Sequence, residues 1–216
     1  MLLVTGVALV ATLTAGCGDD DPSRPPEGKS PDPKASENQT PDPESRIETV
    51  GDFERLLLSK ETAPSLGADG GDASAATGSS AESECRDWTS VTNVCDGLRL
   101  YGQRGFEDLT VTVMAFGDRQ GAQNAMSRLF AYEDNNAEQR LRDDLSPVGN
   151  DSALFVKEDS DGSRGPGRAY ARIGTVFISV SAGAATAPED LREVSAVQTE
   201  RFAQHFAGEK PTARLN

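Results

Sequence analysis

Few side chains in this chain of 216 residues are suited to chemistry. There is one histidine, His205, so a Ser-His-Asp triad would have to use it and a multi-His metal site cannot be built. Its spacing puts His205 in the apolar stripe of a C-terminal helix, which suits a packed or edge ring better than a catalytic or metal-bound one. The patterns G-x-S-x-G, S-x-x-K, H-E-x-x-H, G-x-G-x-x-G and the phosphate-binding loop are absent. Carboxylate-only catalysis needs two acids converging across a cleft. Glu133 and Asp134 are candidates, as are sixteen other acids of the same region, and one sequence does not choose among them. Asp159-Ser160-Asp161-Gly162 resembles the front of a calcium loop, but its twelfth place is Tyr170 where a bidentate Glu is needed, so a turn is expected. Arg164 and Arg168 flank Gly165-Pro166-Gly167 and could bind an anion, although a solvated hairpin arm is the preferred reading. No cofactor and no metal site is expected.

The elements that would position these groups follow from periodicity. Leu98-Arg99-Leu100-Tyr101 is followed by an alternating run in which Leu109, Val111, Val113 and Ala115 interleave with Thr110, Thr112, Met114 and Phe116. Period two with β-branched residues predicts two antiparallel strands. Asp118 is placed to cap a helix starting near Arg119. Its first stripe is Ala122, Ala125, Met126, Leu129 and Phe130, and Ala137, Leu141 and Leu145 form a second stripe beyond a break at Asp134-Asn135-Asn136. Ala153 to Val156 predicts a strand, and Ala169–Ile173 with Val176–Val180 predicts a hairpin through Gly174-Thr175. Thr186-Ala187-Pro188-Glu189 reads as a capping box opening a helix from about Ala187 to Phe206, with Leu191, Val194, Val197, Phe202 and Phe206 on one face. The order ββαβββα predicts an α+β domain over 85–207, with a mainly antiparallel sheet of about five strands and two principal helices. About 120 residues suffice for one core.

Charge divides the chain into regimes. The formal charge is −14, which argues against nucleic acid as a partner. Residues 18–84 contribute a net −10 and residues 85–207 only −5. Seven of the 22 residues from Pro22 to Pro43 are proline, with no aromatic residue among them. Such a segment cannot bury enough surface to offset its ordering entropy, which predicts a disordered, extended tether over 17–46. At ~3.1 Å per residue it could reach up to about 85 Å. Residues 47–64 predict a short, marginal helix, with Ile47, Val50, Phe53 and Leu57 at helical spacing. Residues 65–84, rich in Gly, Ala and Ser, predict a mobile loop, and 208–216 a tail.

Residues 2–16 are uncharged and mostly apolar, too short to span a bilayer as a helix but suited to a signal h-region. They end in Leu13-Thr14-Ala15-Gly16-Cys17, small residues followed at once by Cys, which resembles the lipobox of bacterial lipoproteins. The resemblance implies a signal peptide over 1–16, with Ala15 and Gly16 as the small pair before cleavage and Cys17 as the lipidated N-terminus of the mature protein. No Lys or Arg precedes the run, so the reading frame is expected to open upstream of Met1. Setting Cys17 aside leaves Cys85 and Cys95, an even pair in an exported chain, for which a disulfide is the leading reading beside free thiols or a redox pair. Trp88 would then lie inside the closed loop and pack on the bridge or the domain edge.

In order and setting, residues 85–207 resemble small extracytoplasmic domains of actinobacterial lipoproteins and of sensor kinases of the same bacteria. That resemblance implies a sensor or ligand-binding module. The expectation is a non-catalytic protein, anchored to the outer face of the cytoplasmic membrane through lipid, that binds a small ligand, an envelope component or a partner protein. A carboxylate-dependent envelope hydrolase and a structural spacer are the alternatives. An apolar concavity would favour a small ligand and a flat apolar patch a protein partner.

Overall fold

Strands with apolar residues at nearly every position must have both faces covered, and that requirement organises the molecule. The computed structural model describes residues 45–67, 74–136, 139–142, 146–158 and 164–216. Strands β2 (Leu98–Gly105) and β3 (Leu109–Phe116) form one hairpin, and β6 (Arg164–Ile173) and β7 (Val176–Ala182) another. They meet along β3 and β7, where Val113 lies opposite Ile178. With β1 (Ser74–Thr77), β4 (Gln139–Leu141) and β5 (Asp151–Glu158) the sheet has seven strands among the described residues, all antiparallel, in the order β1-β2-β3-β7-β6-β5-β4. The β6–β7 turn is the two-residue one the spacing predicts, with Ile173 opposite Val176. Gly174 sits there at φ +56°, where a Cβ would strike the Ser45 carbonyl.

Helices cover both faces. On one side α1 (Val50–Leu56) and α4 (Pro188–Phe206) bury Phe53, Leu56, Leu191, Val194 and Phe202 against Val111, Val113, Ile178 and Val180. On the other, α2 (Gly78–Trp88) and α3 (Arg119–Asp134) bury Ala81, Cys85, Ala122, Ala125 and Leu129 against Tyr101, Met114, Tyr170 and Phe177. Among the described residues no helix is long and apolar enough to cross a membrane.

The α+β class and the antiparallel sheet match the pattern, but among the described residues the sheet has seven strands in place of about five, and there are four α-helices where two principal ones and one short one were expected. The additions fall where the sequence is least periodic. The described part of 65–84 includes β1 and most of α2, not a loop. Helix α2 buries only Ala81 and Cys85, side chains too small to write an apolar stripe. The second helical stripe is also absent: α3 ends at Asp134, Leu141 lies in β4 and stays exposed, and Ala137 and Leu145 lie outside the described residues. Asp118 caps α3 as expected, accepting from Gly121 N at 2.8 Å. Thr186 does not cap α4. The cap position is Ala187 with Pro188 in the first turn, and Glu189 and Asp190 face the positive helix end.

The chain on either side of 85–207 is part of the packed body. Gln198 receives Leu58 N at 2.9 Å and donates to Leu56 O at 2.8 Å. Arg201 donates to Leu56 O, Arg55 O and Ala213 O at 3.0, 2.7 and 3.0 Å. Leu215 is buried and its N–H reaches Thr62 O at 2.8 Å. Residues 47–58 and 213–215 thus pack on α4, where the periodicity predicted a marginal helix and a tail.

Candidate functional site

Alternation along β6 puts Arg168 and Tyr170 on the same face, beneath the last turn of α3. Glu133 is delivered there by α3 and is 1% exposed. Its Oε1 accepts from Arg168 Nη1 at 2.6 Å and from Tyr170 Oη at 2.9 Å. Burial, then the Glu133 charge, pushes the Tyr170 phenol well above its usual range. Burial alone would lower Arg168, but the negative charge of Glu133, and of Tyr170 when ionised, outweighs it and holds the guanidinium pKa up. Asp134, the next residue, is exposed. The neighbouring acids therefore diverge, and Glu133 is neutralised by an arginine rather than set across from a second carboxylate.

A concavity of about 270 Å³ opens at the outer edge of β5. It exists because β4 is only three residues long and pairs with β5 from Phe155 to Lys157, leaving the preceding edge uncovered by a strand. Phe130, Leu141, Pro147, Val148, Leu154 and Tyr170 give it a largely apolar lining drawn from both faces of the sheet. Arg142, Arg192, Ser152 and Ser195 add polar groups. Arg192 Nε donates to Ser146 O at 2.9 Å, and Ser152 Oγ accepts from Val148 N at 2.8 Å, so the loop at the mouth is tied to α4 and β5. A smaller crevice of about 120 Å³ lies between α3 and the chain following α2. Its lining includes Trp88, Tyr132, Arg168, Ser179 and Ser181.

The residues singled out by sequence fare unevenly. Cys85 and Cys95 are joined by a disulfide, with Cα atoms 6.0 Å apart. The Cys85 sulfur also lies 3.8 Å from the Met114 sulfur, which pins α2 to the sheet. Trp88 ends α2, half-buried. His205 is half-buried at the end of α4, its ring 5.9 Å from that of Phe206. Arg168 of the proposed anion arm is paired with Glu133, and Arg164 opens β6. Ala15, Gly16, Cys17 and the Asp159–Gly162 run lie outside the described residues. Among the described residues, no group of three His, Cys, Asp or Glu side chains could hold a metal ion. The edge concavity has no counterpart in the sequence reading, and Glu133 and Arg168 were named there singly, without their meeting and without Tyr170. A signal existed for the cluster's strand half, since Arg168, Tyr170 and Arg172 alternate with Ala169 and Ala171 and so share one face.

No protein-family model matches the chain, and no curated protein does. Among solved structures it is similar to the extracellular domain of PknH from Mycobacterium tuberculosis, at 15% identity and a TM-score of 0.48, covering 74% of this chain and 99% of that one.

Proposed function

We propose that this is a lipid-anchored, non-catalytic protein of the outer face of the cytoplasmic membrane, whose folded body binds a small ligand of apolar character. The observation that carries the binding half is the concavity of about 270 Å³ at the β5 edge. It sits just below the usual size range of ligand sites and has their usual make-up, an apolar lining with a few polar groups to orient the occupant. Arg192 suits an occupant with an anionic end, while Arg142 lies 4.0 Å from the Glu189 carboxylate. The anchoring half is supported by Leu13-Thr14-Ala15-Gly16-Cys17 and by the proline-rich stretch that follows. Two acyl chains on Cys17 would hold the chain firmly, at roughly 0.8 kcal/mol per buried methylene.

Each half has its own test. Membrane fractionation of wild type and Cys17→Ala examines the anchor, and the variant is expected in the soluble fraction. A variant that stays with the membrane overturns it. Anilinonaphthalene sulfonate, an apolar dye with an anionic end, serves as the pocket probe. Its fluorescence should rise saturably with the folded protein and lose most of that rise in Ala153→Phe, which fills the concavity. Equal dye binding by both proteins overturns the assignment of the pocket.

A further inference from the structure

The crevice between α3 and the chain after α2 shares no lining residue with the apolar concavity, and its chemistry differs. Its floor is β7, where Ser179 and Ser181 stand on the face turned toward α3. Ser179 is 2% exposed and lines the crevice. Its neighbours on the opposite face are Ile178 and Val180, and a small apolar residue would satisfy packing at its place equally well. Its place in the lining lets a partner from outside reach its hydroxyl, which can both donate and accept. Arg168 lines the same crevice, and its charge is already balanced by buried Glu133 at 2.6 Å. The polar groups are therefore fixed in place while the local net charge stays near zero.

The walls are aromatic. Trp88 and Tyr132 both belong to the lining, and Tyr132 is 49% exposed and, with Leu141, is one of two large hydrophobic side chains left in solvent among the described residues. Hydroxyls and a neutralised guanidinium at the floor ask for a ligand edge rich in uncharged donors and acceptors. Two aromatic rings in the lining suit flat C–H surface. An apolar ligand would make no use of the Ser179 hydroxyl, and a simple anion would find Arg168 already neutralised. We propose that this crevice is a second binding site, for the edge of a neutral pyranose sugar. At about 120 Å³, the room of about four waters, it takes one face of a single ring rather than a stretch of polysaccharide.

Trp88 is the only tryptophan in the chain, so its fluorescence reports on this crevice directly. The full chain is titrated with glucose, galactose and N-acetylglucosamine as probes, alongside Ser179→Ala, Tyr132→Ala and Ala153→Phe. The expected result is a saturable change in Trp88 emission with at least one sugar. It should weaken about fivefold to tenfold in Ser179→Ala and in Tyr132→Ala and stay unchanged in Ala153→Phe. Tyr132 is exposed, so its truncation leaves the core intact even if Ser179→Ala disturbs it. The proposal is overturned if none of the three sugars gives saturation or if both crevice variants bind as wild type does. It is also overturned if Ala153→Phe abolishes the signal, which would put the sugar in the apolar concavity instead.

Discussion

Tyr101 lies 2% exposed under α2, and burial raises its phenol pKa from 10.0 to about 12, a shift reinforced by the charges of Glu84 and Asp87. Ionising such a group in place is harder than in the unfolded chain. Its contribution to stability is thus complete below pH 10.0 and is lost as pH rises through about 12. Tyr170 shifts in the same direction. Urea midpoints measured across that range should fall steadily in wild type and less steeply in Tyr101→Phe, whose ring cannot ionise. Parallel slopes for the two proteins would contradict this account. The same scale shows why Glu133 was hard to read. Its residue type allowed general acid–base chemistry, but its partners Arg168 and Tyr170 lie 35 and 37 residues away. Only their meeting turns a candidate catalyst into one half of a neutral pair.

At the scale of elements, two polar side chains of α4, Gln198 and Arg201, hold the end of α1. The Arg201 guanidinium is buried, burial lowers its pKa, and it is held by three backbone carbonyls rather than by a carboxylate. Two of these are the last-turn carbonyls of α1, which lack partners inside their own helix. Arg201→Ala should destabilise the protein by roughly 2–4 kcal/mol, since buried acceptors lose their donors. Arg201→Met, which restores apolar volume without donors, should recover little of that loss. Amide hydrogen exchange over residues 50–58 should quicken in both, and unchanged exchange there would rule out the clamp. Legibility at this scale followed side-chain size. The strands from β2 to β7 other than β4, and helices α3 and α4, carry Val, Ile, Leu or Phe at clear periods. Strand β1 and helix α2 bury Ala76, Ala81 and Cys85, which leave almost no trace in a hydrophobic pattern. Strand β4 is three residues long, and its Leu141 is exposed, so it offered no inward face to detect.

At the scale of the whole molecule, the buried residues among the described ones run from Ile47 to Leu215. The sequence from Pro22 to Pro43, by contrast, has no aromatic residue and a third of its positions as proline. Deleting residues 18–44 should leave the thermal midpoint within about 1 °C of the parent. A drop of several degrees in calorimetry would mean that this stretch contributes to the fold. The net charge of −14 takes on a local meaning here, since residues 18–84 contribute −10 of it and residues 85–207 only −5.

Taken alone, the amino-acid order determined the α+β class, the antiparallel hairpins, the two long helices and the pair Cys85 and Cys95. These depend on neighbours in sequence or on repeats of two and 3.6 residues, which a chain writes locally. Tertiary structure decided what lies at the β5 edge, which arginine meets which carboxylate, how α1 is clamped and why Ser179 faces a crevice. Those outcomes depend on residues tens to more than a hundred positions apart, brought together by a strand order in which β3 pairs with β7. No local period encodes that pairing, because it is set by the burial of both sheet faces at once.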